Sequence, residues 1–240
     1  MNATAQTEKG GFLEGTHLPE SWQKKRMGES FWVAAFLSVS GGLQDAYTYI
    51  AREQVFANAQ TGNVVLLTQR LFSGSWEQCL PYLLPLISFS LGVAIAEQIE
   101  YKYQNRECLQ WRQIVLLLEI ALLFGVGFFP GEWNLAANSL VSISCAMQVQ
   151  AFRKVKGFSF ASTMCIGNLR SGVEMLCSFL RKRDRGTLHG VACYFGVIAL
   201  FAIGAGVGGF CIGWLGYRTI WLSGGLLLIG FMLLFLNSSR

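Results

Sequence analysis

Three carboxyl side chains interrupt otherwise apolar runs of this chain: Asp45 behind SGG at 40–42, Glu97 in VAIAEQIE, and Glu119 in VLLLEIALL. A charged group in the middle of a membrane helix costs about 2.5–3.5 kcal/mol on insertion scales, so a sequence that keeps one there points to binding, proton transfer or a buried lock. Asp45 and Glu119 are the candidates for a proton or ion relay. Asp45 follows glycines at which a helix can kink, and two readings of it stand side by side: a relay, or a structural carboxylate accepting hydrogen bonds from a turn at Thr61–Asn63. Glu97 lies among polar neighbours near a helix end, whereas Glu119 is deeper.

A second set of candidates is polar but uncharged. FANAQTGN at 56–63 stands in a greasy sequence, and its outline returns as FASTMCIGN at 160–168. Sliding one stretch onto the other pairs Gln44 with Gln148, Phe56 with Phe160 and Ala57 with Ala161. One inserted residue then pairs Gly62 with Gly167, Asn63 with Asn168 and Leu71 with Leu176. Read this way, TGN and IGN start two short helices, glycine permitting the turn and Thr or Asn capping exposed N–H groups. Helix N-termini turned inward would offer free donors and positive partial charge to an anion or a polar solute. The candidate binding or pathway residues are therefore Gln44, Asp45, Asn58, Thr61, Gly62, Asn63, Gln148, Gly167, Asn168 and Arg170. Two alternatives stay open. Both short helices could lie flat at the membrane interface with a purely structural motif, and Arg170, spaced i, i+4 from Glu174, could pair with it rather than gate an anion path.

Other chemistries find little support. GAGVGG at 204–209 satisfies GxGxxG but lies inside an apolar run with no strand before it, so its glycines read as small-xxx-small helix contacts, Gly204 with Gly208 and Gly209 with Gly213. The seven cysteines form no CxxC pair and there are only two histidines, so neither a metal site nor a cofactor is expected. With no Ser/His/Asp set and no phosphate-binding loop, an enzyme is not expected.

The elements that must position these residues follow from composition. With 52% hydrophobic residues, 14% charged ones and a mean hydropathy of +0.41, the chain is too apolar for a soluble domain. Six stretches are long and apolar enough, or nearly so, to span a bilayer: 31–51, 80–99, 113–130, 134–152, 189–212 and 218–236. The segments at 62–72 and 167–180 are too short or too charged, and their depth, re-entrant or interfacial, is left open. With six spans, QKKR at 23–26, Lys102, Arg106, Arg112, RKRDR at 181–185 and Arg240 share one side, while Arg52, Glu77, Glu132 and Arg218 face the other. That distribution obeys the positive-inside rule with both termini cytoplasmic. The net charge of +5 is thus a matter of membrane orientation, not of nucleic acid. No signal peptide is recognisable in the polar first 29 residues.

The expected architecture is all-α and integral to the membrane. A cytoplasmic tail (1–30) precedes a first membrane repeat of three spans (31–130), a second of three spans (131–236) and a short end (237–240). Three spans per unit is an odd number, so the second repeat enters from the opposite side, giving a 3+3 inverted repeat with one short non-spanning helix per half.

GGLQDAYTY at 41–49 with FANAQTGN, and AMQVQAFRKV with IGNLRSG, resemble the paired signatures of the YoaK-like family of small bacterial membrane proteins, defined as a domain of unknown function. The resemblance covers about residues 31–236. It implies a multi-pass bacterial inner-membrane protein and no stated activity. Asp45, Ala46, Asn58, Thr61, Gly62 and Asn63 match the first signature, and Gln148, Gly167, Asn168, Leu169 and Arg170 the second, with Ile166 where a threonine is usual. The leading expectation is a transporter or channel-like permease for a small polar or anionic solute. The alternatives are a structural or regulatory membrane protein and, less so, a membrane-embedded enzyme. Membrane lipids and the solute are the expected partners, and homo-oligomer assembly is open.

Overall fold

The computed structural model describes residues 31–104, 110–155, 158–159 and 162–238. The expected tail with its QKKR, Arg106, the Phe160 and Ala161 of the second octet, and Arg240 lie outside the described residues. Among the described residues, eight α-helices carry the fold: α1 (Phe31–Ala51), α2 (Gln60–Phe72), α3 (Leu80–Tyr103), α4 (Trp111–Val126), α5 (Asn134–Ala151), α6 (Cys165–Lys182), α7 (Arg185–Leu215) and α8 (Ile220–Ser238). A two-residue antiparallel ladder, Lys154–Val155 with Phe158–Ser159, follows α5.

Local chemistry sets most of the boundaries. Gln113 reaches back to the backbone N–H of Gln110 at 3.0 Å, which starts α4 earlier than its apolar run. Asp184 accepts from the Thr187 N–H at 3.0 Å and starts α7. Pro130 follows closely on α4, which stops at Val126 rather than at 130 as its hydrophobicity would allow. The chain leaves α1 through Glu53 and Gln54, both in the left-handed region with φ of 68° and 59°, and this reverses its direction towards α2.

The helices pack in a definite set of pairs. α1 runs along α7 and α8, α5 along α3 and α4, α2 on α3, α6 on α7, and α4 on α8, with a smaller contact between α1 and α5. Close approach is built from glycine: a Cβ on Gly42 would overlap the Phe201 carbonyl, and one on Gly204 the Val39 carbonyl. Gly92 does the same between α3 and α5, where a Cβ would strike Ile143 and Ala146. The core joins Leu37 and Tyr47 of α1, Leu116 and Leu123 of α4, Val141 of α5 and Leu227 of α8.

The outer surface is strongly apolar. Phe72, Trp214 and Phe210 are 89%, 82% and 71% exposed, beyond what water-facing surfaces tolerate in number. Among the described residues, two stretches are long and apolar enough to cross a membrane: Trp76–Tyr103, and Gly186–Leu236, which takes in most of α7, a 3-10 turn at Gly216–Thr219 and most of α8. α1 and α5 instead carry polar side chains within apolar runs, among them Ser40, Gln44 and Asp45 in one and Asn138, Ser144 and Gln148 in the other, and these are turned into the protein.

One expectation is corrected outright. Arg52, read from the sequence as a loop charge on the outer side, is fully buried. Its Nε donates to the Tyr47 hydroxyl at 2.8 Å, one terminal nitrogen to the Pro130 carbonyl at 3.0 Å and Asn134 Oδ1 at 2.9 Å, and the other to the carbonyls of Phe129 at 2.8 Å and Val126 at 3.4 Å. The Tyr217 ring lies 3.9 Å from its guanidinium carbon. All five donors are used, and the cation sits at the C-terminal, partially negative end of α4.

Candidate functional site

α1 brings its polar residues to one level, and the two echoing loops converge there. From the loop before α2, the Asn58 backbone N–H donates to Asp45 Oδ1 at 2.8 Å and its side-chain amide donates to the Gly41 carbonyl at 3.3 Å. From the loop before α6, the Thr163 methyl packs on Gly41 so closely that a Cβ there would come within 2.5 Å of it. The neighbouring Ser162 accepts from Gln148 Nε2 at 2.8 Å, and Gln148 also donates to the Leu37 carbonyl at 3.2 Å. Loops more than a hundred residues apart thus meet on a single turn of α1, and each hands over directly to a short helix.

Gln44 ties a third and fourth element to the same place. Its amide nitrogen lies 3.0 Å from both Ser40 Oγ and Ser223 Oγ, which are 2.6 Å from each other, and its oxygen accepts from the Cys145 thiol at 2.8 Å. Ser40, Gln44, Ser223 and Gln148 are fully buried.

The structure divides the expected site residues into two groups. Gln44, Asp45, Asn58 and Gln148 come together at this junction. Asn63 stands just behind it: its amide accepts from the Phe56 N–H at 3.0 Å and donates to the Phe56 carbonyl at 2.7 Å, stitching the loop to α2. Asn168 is likewise buried near the start of α6. Thr61, Gly167 and Arg170 lie on exposed faces of the short helices, and Arg170 pairs with Glu174 at 3.0 Å, both largely solvent-facing. Glu97 sits at the end of α3, paired with Arg153 at 3.1 Å and hydrogen-bonded by Gln150.

Two local expectations need correction. α2 and α6 begin at Gln60 and Cys165, before TGN and IGN, and neither has a side-chain cap. Gly62 is helical, not a turn residue; its missing Cβ makes room for the Phe56 ring, which would lie 2.9 Å away. Asp45 is held by the Asn58 amide instead of by Thr61–Asn63. The residues not foreseen are Gly41, Ser40, Cys145, Ser162, Thr163 and Ser223. Ser162 carries a sequence signal, since the same pairing that matches Gln44 with Gln148 sets it opposite Asn58. Ser223 opens an SGG at 223–225 like that at 40–42, but the pairing of the two octets does not reach it.

The Asp45–Asn58 contact predicts a ranking. Asp45→Asn keeps an acceptor for the Asn58 N–H, while Asp45→Ala orphans a buried donor at about 1–3 kcal/mol. Thermal unfolding of purified protein in detergent should give wild type highest, Asp45→Asn next and Asp45→Ala lowest. Equal transitions for wild type and Asp45→Ala would show that the contact does not hold the loop.

The family profile described as "Protein of unknown function (DUF1275)" matches residues 33–233, and so nearly all of the helical region. The chain is also 27% identical, over 180 residues, to the "UPF0700 transmembrane protein YoaK" of Bacillus subtilis (strain 168), covering 71% of this chain and 79% of that protein. No solved structure matches.

Proposed function

Since the chain belongs to the DUF1275 family and is a membrane protein, we propose that it is a permease for a small polar solute, built as two inverted three-span repeats whose loops before α2 and α6 meet at a common point on α1. The observation that carries the reading is the convergence of the Asn58 and Thr163 loops on Gly41–Asp45. Irregular backbone inside a membrane bundle survives only where protein or water satisfies it, and transporters use such interrupted helices at their binding sites.

The packing supports the repeat. Exchanging α1 with α5, α2 with α6, α3 with α7 and α4 with α8 turns α1–α7 into α5–α3, α1–α8 into α5–α4 and α2–α3 into α6–α7. It leaves α4–α8 and α1–α5 unchanged, and every one of these pairs is in contact; the smaller α3–α4 contact has no α7–α8 counterpart of similar extent. In this reading α1, α3, α4, α5, α7 and α8 span, and both termini are cytoplasmic.

An anion loses its support as the solute. The α2 N-terminus already faces the Asp45 carboxyl, and Arg52 has no donor to spare. The buried side-chain polar atoms without a partner among the described residues are oxygens with one exception, Gln113 Nε2; three are Ser or Thr hydroxyls, and the pure acceptors include Asn58 Oδ1 and Gln148 Oε1 beside the junction. A solute that donates hydrogen bonds, or carries positive charge, fits such a lining.

The test is flux in proteoliposomes. A single cysteine replaces Thr163 in a background lacking the native cysteines, and stopped-flow light scattering follows entry of glycerol, urea or an alkali chloride before and after a small methanethiosulfonate reagent. Entry above protein-free liposomes by one of these probes, lost on labelling, is the expected result. Flux that survives complete labelling removes the junction from the path, and no flux of any probe leaves a structural membrane protein as the better reading.

A further inference from the structure

Glu119 is the most deeply placed charged residue that the junction does not use. It is fully buried midway along α4, and neither carboxyl oxygen has a hydrogen-bond partner among the described residues. A bare carboxylate is not stable in such surroundings; the group persists only neutral or with a cation beside it.

Its neighbours narrow the choice. The Arg112 side chain donates to the Ala151 carbonyl at 3.1 Å, which sets the register between the antiparallel α4 and α5. Counting two turns from that contact along each helix, at 3.6 residues per turn, puts Glu119 and Ser144 near one level, though too far apart to hydrogen-bond to each other. The Ser144 hydroxyl is also fully buried and without a partner, as is that of Ser142. Unsatisfied oxygens on two facing helices, with one carboxyl among them, match one small monovalent cation. The ionisable groups on the packed elements do not supply it. α8 has none, α5 has only Cys145, α3 has none between Tyr82 and Glu97, and Asp45 of α1 is a second acid whose oxygen is taken by Asn58.

We infer that Glu119, with Ser144 opposite, is a monovalent-cation exchange site in the bundle interior, its carboxyl holding a proton that it gives up in exchange for an alkali cation. The exchange balances as one carboxylic acid plus one sodium ion giving one carboxylate–sodium pair plus one proton. The inference deepens the permease reading by naming a coupling ion. Cys145, whose thiol donates to Gln44 Oε1, follows Ser144 directly on α5 and so connects this level of the bundle to the junction.

Dicyclohexylcarbodiimide tests it on the intact purified protein, with no need of flux. The reagent adds across an apolar, protonated carboxyl: the acid proton goes to a carbodiimide nitrogen, the oxygen to its carbon, and rearrangement leaves a stable acylurea with nothing lost. Mass spectrometry should find the adduct on Glu119, with a labelling rate that falls about tenfold per pH unit on its alkaline limb, as one titrating proton requires. Sodium chloride, but not an equal concentration of choline chloride, should slow it. Glu119→Gln, which mimics the neutral acid, should fold as wild type and lose the adduct. Labelling that follows pH but ignores sodium would restrict the site to protons and overturn the alkali-cation part. No adduct on Glu119 at any pH where the protein stays folded would overturn the whole. If flux persists while Glu119 fails this test, the permease reading survives without the cation site; if Glu119 passes and no probe crosses, the cation site stands without the permease.

Discussion

Arg52→Lys is expected to unfold at a clearly lower temperature than wild type, and Arg52→Ala not to be recovered as a folded protein at all. The arginine serves five acceptors from a buried position: one tyrosine hydroxyl, one asparagine oxygen and the carbonyls of Val126, Phe129 and Pro130. Lysine has three donors on a single point and cannot reproduce the planar fork. Leaving even two buried carbonyls unpaired costs about 1–3 kcal/mol each, a large share of the roughly 5–15 kcal/mol by which proteins are folded. Alanine would in addition open a cavity under the Tyr217 ring. A thermal ramp followed by size-exclusion chromatography in detergent reads the difference, and an Arg52→Lys protein as stable as wild type would show that the buried fork contributes little.

That same residue marks the limit of what the sequence makes legible. The extent of α1 and the starts of α3 and α5 follow from hydrophobic length, and the existence of α2 and α6 from amphipathic segments too short, in the first case, or too charged, in the second, to read as spans. Gln44, Asp45, Asn58 and Gln148 stood out in the sequence as polar residues in or beside apolar runs, but nothing in their spacing foretold that they meet. Arg52 did not stand out, because four of its five acceptors lie 74 to 82 positions away, and a cation just past an apolar run ordinarily marks a membrane surface. The serine ladder from Ser40 to Ser223 was hidden for a related reason: an isolated serine in an apolar helix has no local partner that betrays its orientation. The starts of α2 and α6 were misjudged because polar residues that resemble caps, Asn63 above all, serve the preceding loop instead.

The helix contacts, in contrast, depend on space alone, which gives the second large prediction an internal control. Gly42→Ala and Gly204→Ala put a methyl group into a main-chain carbonyl of the partner helix, Phe201 in one case and Val39 in the other. Backbone cannot swing aside as a side chain can, so α1 and α7 must separate, at about 1–3 kcal/mol or more for each overfilled contact. Gly206→Ala and Gly225→Ala add the same methyl in the same kind of helix where nothing lies within 4 Å. There alanine's better helix propensity, worth up to about 1 kcal/mol, is the only change, and these variants should match or exceed wild type. The two damaging substitutions share one contact surface, so the double variant should lose less than the sum of the single losses, because helices already pushed apart accept the second methyl more cheaply. Thermal transitions of the four single variants and the double decide the matter: opposite signs for the two pairs establish the α1–α7 glycine contact as the seam that carries Gly41–Asp45 into the junction, while uniform small effects would mean that the seam is loose and the junction is held from the α5 side.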